Sequence, residues 1–379
     1  MIHYLTYMLK INLQSPIITP FHSDTIFGHF AWALKYLKGE QKLTEFLRGM
    51  NNEPPPLLIS NGFPKDLLPR PVGSQLSEED EEKLKNLFIE KGGSVEYFYK
   101  ALKTLKKVPY IHKDVFAQLI DDYSTYELYQ KVIKGEISSR NFYPFAQECR
   151  DIGKICFPFK KDEKAKICKK KGIVETEIIA HNTINRLTNT TGEGGGFFQQ
   201  EEDFYEPGQE FNIYVRCQGD YVETVKLCFQ YIADSGFGKD KSTGKGHFEI
   251  VSWESETEDK KILPECKNPN AFMSLSNMIP SEKDPTDARY NLITKYGRLG
   301  GDWAKSAYPD NENGEKSKGL VPFKTPLLMF EAGAVFSLKN GKPEKEYLGC
   351  MMKNVHRYKE IVQYAYGFPL YFREVRDGK

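Results

Sequence analysis

An eleven-residue run rich in glycine and lysine, Gly236 to Gly246, most constrains how this chain can fold. It holds four glycines and three lysines, and it stands between a helix-like stretch and a strand-like stretch. Because glycine accepts positive φ and lets another backbone approach closely, the run predicts a tight, shaped connection. Lysine ammonium groups and free backbone N–H groups favour a phosphate chain as the ligand. The run therefore predicts a protein that handles nucleic acid.

Two common phosphate-binding motifs do not fit this run. A P-loop follows a strand and places four residues between its first glycine and its Gly-Lys pair. Here a helix-like stretch precedes the run, and five residues separate Gly238 from Gly244. A dinucleotide fingerprint fails because Lys241 stands where its third glycine belongs. The alternative interpretation is a flexible surface loop between a helix and a strand.

Charge and cysteine content narrow the class of protein. The 379 residues include 53 basic and 52 acidic ones, so positive charge for nucleic acid has to be concentrated locally. Lys160 to Lys171 and Glu78 to Glu82 are local runs of opposite sign, and both are also typical of a solvated surface. Seven scattered cysteines without a Cys-x-x-Cys pair indicate reduced thiols, and we find neither a signal peptide nor a long apolar stretch. We therefore expect a cytoplasmic protein without a membrane span, a metal site or a cofactor.

The order of strand-like and helix-like patterns predicts an α+β fold. Met1 to Leu13 alternates as a strand, and a helix capped by Asp24 follows and ends at Gly39. A second strand–helix unit begins at Gln209 and leads through the glycine-lysine run to a strand at Phe248. Strand, helix, basic loop and strand make up half of a ferredoxin-like or RRM-like fold.

The sequence patterns of the remaining stretches predict insertions, loops or core strands. Residues 51–171 are broken by prolines and predict two helices, from Ser77 to about Lys91 and from Val95 to Lys107. Residues 264–326 are rich in loop signals. Near the C-terminus, 361–372 is dense in aromatic residues, which suits base stacking and, more commonly, the core of a sheet.

A polar segment before the second unit supplies further candidate contacts. Within His181 to Arg186, the guanidinium of Arg186 suits a phosphate or a splayed base, and Asn182 suits a Watson–Crick edge. The same segment also suits a turn with a surface ion pair. The acidic stretch Glu201 to Asp203 is typical of a solvated loop rather than of a cation site.

Histidine opens an enzymatic interpretation beside the binding one. Metal-free ribonucleases use histidine to move protons to and from RNA oxygens, and His22 and His181 are the candidates here. His22 lies in the turn before the first helix, where it suits RNA contact or local capping. His29 lies inside an apolar helix and is expected to be a packed, hydrogen-bonded side chain.

Five motifs, in this order along the chain, resemble those of the RAMP superfamily of CRISPR proteins. The closest resemblance is to the type III-A (Csm) subunits that bind the 5′ handle of the CRISPR RNA (crRNA). Residues 51–171 and parts of 264–326 lie outside the resemblance. The matching motifs are Ser23 to Gly28, His181 to Arg186 with Phe197-Phe198, Gly236 to Gly246, Phe330 to Phe336 and Tyr364 to Phe368.

The resemblance implies two ferredoxin-like domains with a central hairpin. Residues 1–205 would form the first domain, with an insertion at about 51–171, and residues 206–379 the second, with the glycine-rich loop at 236–246. It also implies a non-catalytic scaffold whose partners are the crRNA 5′ handle, the large polymerase-like subunit of the effector complex and an adjacent RAMP backbone subunit. The alternatives are a CRISPR-repeat endoribonuclease of the same superfamily and the equivalent type III-B subunit.

Fourteen residues are expected to bind RNA, and no residue is expected to be catalytic or to bind a metal. The set combines the turn before the first helix, the polar segment and the glycine-lysine run. Its members are His22, Ser23, His181, Asn182, Asn185, Arg186, Gly236, Gly238, Lys239, Lys241, Ser242, Thr243, Gly244 and Lys245.

Overall fold

A computed structural model describes residues 4–137, 174–182, 184–185, 187–191, 196–206, 208–305, 323–338 and 345–375. The lysine-rich run at 160–171 lies outside the described residues. The described helices are α1 (Ser23–Lys38), α2 (Glu40–Gly49), α3 (Glu78–Glu90), α4 (Val95–Lys106), α5 (Lys113–Leu119), α6 (Thr125–Lys134), α7 (Val222–Ser235) and α8 (Gly301–Lys305).

The described strands pair in antiparallel sheets, so the α+β class is confirmed. They are β1 (Tyr4–Leu13), β2 (Leu57–Pro64), β3 (Leu67–Pro69), β4 (Tyr110–His112), β5 (Val174–Asn182), β6 (Ile184–Asn185), β7 (Thr190–Thr191), β8 (Phe197–Tyr205), β9 (Glu210–Gln218), β10 (Phe248–Ser255), β11 (Ala271–Ser274), β12 (Ala288–Arg289), β13 (Leu292–Lys295), β14 (Leu327–Phe330), β15 (Val335–Ser337), β16 (Leu348–Met352), β17 (Gln363–Gly367) and β18 (Pro369–Phe372).

The first sheet has four strands in the order β10-β1-β9-β2. Along the chain, β1-α1-β2 is followed much later by β9-α7-β10, which is the βαββαβ order of a ferredoxin-like unit. Strand β9 begins after the predicted division between residues 205 and 206, and it pairs with both β1 and β2. Local patterns identify strands and helices, but they do not say which strands pair across a long separation.

Buried side chains on these elements form one continuous core. Leu9 and Ile11 of β1 and Val215 of β9 pack together with Phe30 of α1 and Phe229 of α7. The alternation predicted along β1 places Leu9 and Ile11 on the core face, because every second side chain of a strand points to the same face. The helix α1 begins at Ser23. Its N-terminal flanking residue is His22, which makes no side-chain cap, rather than the predicted Asp24.

The region predicted as an insertion contains both part of the sheet and a helical layer. Strand β2 is buried along nearly its whole length and belongs to the first sheet. Helices α3 and α4 confirm the two predicted helices, and the Ser77 hydroxyl caps the first by accepting from the Asp80 N–H at 3.0 Å. Arg70 holds this layer by donating to the carbonyl oxygens of Leu105 and Lys106, each at 2.8 Å.

The C-terminal part forms a second sheet in the order β12-β15-β11-β18, with the pairs β13-β14 and β16-β17 beside it. Between residues 256 and 375, the described residues contain a single helix, the short α8. A second βαββαβ unit with two helices is therefore not found in this part of the described chain. The aromatic residues Tyr364, Tyr366, Phe368 and Phe372 are buried, which assigns that run to the core.

A long hairpin connects the insertion to the first sheet. Strand β5 pairs with β8 from Val174 opposite Tyr205 to Asn182 opposite Phe197, and the small pair β6-β7 lies towards its tip. Near the base, Ile17 and Asp203 exchange backbone hydrogen bonds. The resemblance implies a central hairpin, and β5 and β8 form the longest hairpin among the described residues. Among the described helices, none has both the length and the apolar character needed to span a membrane.

Candidate nucleic-acid interface

The glycine-lysine loop has a specific conformation that requires its glycines. All four glycines adopt positive φ, and Asp240 does so as well, at 58°. A Cβ atom on Gly246 would overlap the carbonyl oxygen of Phe237, and one on Gly238 would lie 2.6 Å from Cβ of Thr19. The loop is closed by the Phe237 N–H donating to the Gly246 carbonyl at 2.9 Å. These contacts argue against the flexible-loop interpretation.

Most of the loop amides are occupied by the protein itself. The Gly238 N–H donates to Nε2 of His29 and the Lys239 N–H to Oγ1 of Thr19, both at 3.0 Å. Within the loop, the Thr243 and Lys245 N–H groups donate to the Asp240 carbonyl. These amides are not free to hold a phosphate in this conformation. The expectation that His29 is packed and hydrogen-bonded is confirmed.

The three loop lysines differ in their environments. Lys239 donates to Oε1 of Gln200, and Lys245 forms an ion pair with Glu202. Lys241 is exposed and forms no ion pair with another described residue, while desolvation of its ammonium group lowers its pKa. Lys241 is therefore the loop cation most available to an incoming anion.

Glu202 joins the loop to the hairpin. Its side chain is buried, with only 1% of the residue exposed, and it lies between Lys245 and His181. Oε1 of Glu202 is 3.3 Å from Nε2 of His181, without the alignment of a hydrogen bond. Beside it, Gln200 donates to Asp240 at 3.0 Å. The structure thus brings His181 and Lys245 together around one carboxylate, which links two of the predicted contact segments.

The outer part of the hairpin exposes apolar and aromatic side chains. Leu187 is 96% exposed, Phe197 62% and Ile184 59%. The ring of Phe198 stacks on His181, with centroids 5.0 Å apart and planes at 10°. Large exposed apolar groups on a projecting hairpin mark a surface that contacts another molecule, and aromatic rings there suit stacking with bases.

Two predicted residues of this segment lie at the edge of what is described. Asn182 is exposed at the end of β5, and Asn185 belongs to β6, with only its backbone described. Arg186 lies outside the described residues. The exposed loop residues Ser242 and Thr243 form a short 3₁₀ turn with Lys241.

The start of α1 forms a separate polar cluster. Nδ1 of His22 lies 3.0 Å from Nζ of Lys295, which is in turn 3.0 Å from Oδ1 of Asp24. Burial, followed by the charge of Lys295, lowers the pKa of His22 to about 4, so the imidazole is neutral and accepts from the lysine. Ser23 is buried and its N–H donates to Oδ1 of Asn61 at 2.8 Å. Its hydroxyl is thus closed to an RNA ligand in this conformation.

Sequence reasoning missed the residues that fix the loop in place. Glu202 was expected in a solvated loop, and this is wrong because β8 turns it inward. The alternation of Gln200, Glu202 and Phe204 on one face of a strand was the available signal. Thr19 carries no local signal of its role. The described residues contain no cluster of three or more His, Cys, Asp or Glu side chains that could hold a metal ion.

Comparison with solved structures finds full-length likeness. A chain of the crystal structure of the Csm3-Csm4 subcomplex in the type III-A CRISPR-Cas interference complex is 14% identical, with a TM-score of 0.52, over 97% of this chain and 99% of that one. A chain of the Csm1-Csm4 cassette in complex with pppApA is 13% identical, with a TM-score of 0.50, over 99% of this chain and 100% of that one. A chain of the same cassette in complex with cA4 is 12% identical, with a TM-score of 0.51, over 98% of this chain and 99% of that one.

No protein-family model matches the chain, and no curated protein matches it. At 12–14% identity the likeness establishes the fold. It supports an α+β fold shared with chains of type III-A CRISPR assemblies, whereas the second of the two expected ferredoxin-like domains is not found in the described residues.

Proposed function

We propose that this chain is the non-catalytic scaffold subunit that binds the 5′ handle of crRNA in a cytoplasmic type III-A CRISPR effector complex. Its protein partners would be a large polymerase-like subunit and an adjacent RAMP backbone subunit. The observation that carries the proposal is the end-to-end likeness to chains of both a Csm1-Csm4 and a Csm3-Csm4 assembly. Csm4 is the subunit common to those two names, and it assembles there with a different partner in each.

The interface supports RNA as the ligand. Lys241 presents an ammonium group that has no ion-pair partner among the described residues, beside the exposed hydroxyl-bearing residues Ser242 and Thr243. Phe197 and the apolar tip of the hairpin lie on the segment that the loop holds through Glu202. Available cations and exposed rings are together the combination by which proteins hold single-stranded RNA, with phosphates on the cations and bases on the rings.

The chemistry of the histidines supports a binding role over a nucleolytic one. A general acid or base works best with a pKa near the operating pH. The pKa of His22 is lowered to about 4, and so is that of His29, chiefly by burial. Neither imidazole is poised to transfer protons at neutral pH. His181 faces Glu202 and stacks on Phe198, an arrangement that orients its ring for contact with a base.

The test is to co-express the chain with its neighbouring genes, purify it and sequence any bound RNA. Short RNAs that share one repeat-derived 5′ end, recovered with a large partner subunit, are the expected result. Recovery of the chain alone, cutting added repeat RNA in the presence of EDTA, would contradict the proposal and make the endoribonuclease alternative correct. The identity of the recovered large subunit separates a type III-A from a type III-B assembly.

A further inference from the structure

A cleft of about 670 Å³ opens where the first sheet, the helical insertion and the C-terminal part of the chain meet. Phe21 and Phe63 line it from the first sheet region, Tyr129 from α6, and Glu331 from the turn after β14. Ligand-binding clefts typically measure about 300–1,000 Å³, so this one is large enough for a small molecule or one nucleotide.

Glu331 is the unusual group in this cleft. Its side chain is half-buried, and its carboxylate has no hydrogen bond or ion pair with another described residue. Burial raises the pKa of Glu331. The backbone fixes its position, because the Glu331 N–H donates to the Asn291 carbonyl at 2.9 Å. A half-buried acceptor without a donor loses hydration that a donor-rich ligand would replace.

The wall beside Glu331 is aromatic. Tyr110 lines the cleft together with Glu331, and burial, followed by the charge of the Glu331 carboxylate, raises the pKa of its phenol. The ring of Tyr110 meets Phe63 edge-on, with centroids 6.4 Å apart. Tyr205 also lines the cleft. Flat rings around a carboxylate suit a planar ligand that carries hydrogen-bond donors on one edge.

The cleft adjoins the loop and the hairpin. Phe21 lines the cleft and stacks on Phe237 of the glycine-lysine loop, with centroids 4.6 Å apart. Tyr205 ends β8, and Ile17, which also lines the cleft, pairs with Asp203 of the same strand. An RNA strand held at the loop and hairpin therefore passes within reach of the cleft.

We propose that the cleft receives one unstacked guanine base, whose N1–H and N2 amino group donate to the Glu331 carboxylate. Guanine is the base that presents two adjacent donors on its Watson–Crick edge, whereas the other three present an acceptor beside their donor. An ionised carboxylate only accepts, so it pairs with guanine and repels those acceptors. Glu331 is thus a specificity-determining residue. The inference rests on the proposed RNA-binding function.

The first experiment titrates the full chain with GMP, IMP and AMP and follows binding by NMR or calorimetry. IMP keeps N1–H and lacks the N2 amino group. We expect GMP to bind about tenfold more tightly than IMP or AMP, the discrimination of one good bidentate contact. Glu331→Gln should remove this preference. Glu282→Gln, at an exposed position that does not line the cleft, removes the same charge and should keep it.

Equal affinities for the three nucleotides would overturn the inference, as would a GMP preference that survives in Glu331→Gln. Tighter binding of L-argininamide than of GMP would assign the cleft to a basic side chain of a protein partner, and would overturn it too. The thermal midpoint of Glu331→Gln shows that the variant is folded.

A second experiment separates this inference from the proposed function. It compares short oligo(A) RNAs with and without one guanine. If wild type binds both RNAs alike and Glu331→Gln changes neither affinity, guanine recognition is wrong while RNA binding stands. If the chain binds neither RNA and still shows Glu331-dependent GMP preference, the cleft is correct and the scaffold function is wrong.

Discussion

Two junctions in this molecule use the same three kinds of side chain and arrange them differently. At the base of the loop, Glu202 lies between Lys245 and His181. At the start of α1, Lys295 lies between Asp24 and His22. In the first junction the histidine faces a carboxylate, and in the second it faces an ammonium group.

The difference teaches that the order of contacts, rather than composition, decides which charged group a histidine meets. Beside Lys295, His22 is held neutral and serves as an acceptor. The α1 junction also reaches Gln363 of β17, which donates to Oδ2 of Asp24 at 2.9 Å, so it connects the first sheet with the C-terminal part. The loop junction instead connects two exposed segments. One junction is an internal support and the other positions the proposed binding surface.

The largest expected effect comes from removing the carboxylate of each junction. Glu202→Ala and Asp24→Ala should each cost about 3 kcal/mol, because each leaves a lysine without its buried partner. The region that loses stability should differ between the two variants, since Glu202 joins the hairpin to the loop whereas Asp24 connects the first sheet with the C-terminal part. Hydrogen exchange should show Glu202→Ala opening β5 and β8 locally, while Asp24→Ala lowers the midpoint of global urea unfolding.

Glu202→Gln keeps an acceptor for Lys245 and serves as the mild control, with an expected loss of about 1 kcal/mol in the free energy of unfolding. Identical exchange patterns for the two alanine variants would show that the junctions are not independent.

The loop junction also depends on the backbone of the loop. Gly246→Ala should destabilise the protein by about 3 kcal/mol, because positive φ and overlap with the Phe237 carbonyl combine there. Gly244→Ala is the matched control. It also has positive φ, yet a Cβ would meet nothing within 4 Å, and about 1 kcal/mol is expected. Thermal unfolding measures both, and equal losses would mean that the close approach at Gly246 is relieved without cost.

Acidification should act on the α1 junction. The pKa of His22 is about 4 in the folded chain and 6.5 ordinarily, so between these values the unfolded chain binds a proton that the folded chain does not. The stabilisation is complete above pH 6.5 and decreases towards pH 4, by about 3 kcal/mol. His22→Asn keeps an acceptor for Lys295 and should flatten the pH dependence of urea unfolding. His29, whose pKa is also lowered to about 4, should leave a residual slope in that variant. An unchanged slope in His22→Asn would place the effect elsewhere.

The smallest effect distinguishes the loop lysines from each other. Lys241→Ala should lower the slope of log K against log salt for RNA binding by about one unit, because its ammonium group is unpaired. Lys245→Ala should lower it less, since Glu202 already neutralises that charge. Filter binding across a salt series measures both. A larger loss for Lys245 would mean that RNA displaces Glu202 from the junction.

Local elements of the fold could be predicted from sequence, and their partners could not. The strand β1 and the helices α3 and α4 follow from alternation, capping and helical spacing within short windows. The placement of β9 between β1 and β2 depends on pairing across a long insertion, about which a local pattern carries no information.

The same division applies to the candidate site. The glycines of the loop predicted a tight connection with positive φ, and all four adopt positive φ. Occupation of the loop amides by His29 and Thr19 could not be read from sequence, since it arises from tertiary contacts. Burial of Ser23 had no signal either, because its partner Asn61 is brought close only by the sheet.

The strand order of the first sheet also governs how the protein is made. β1 and β2 leave the ribosome early, but they are not neighbours, because β9 lies between them. Translation of residues 65–209, at about 5–20 residues per second, delays β9 by roughly 7–30 s, far longer than strands need to pair once they meet. Throughout that interval the nascent chain carries two apolar strands with unpaired edges, which is the state most open to aggregation and to capture by chaperones.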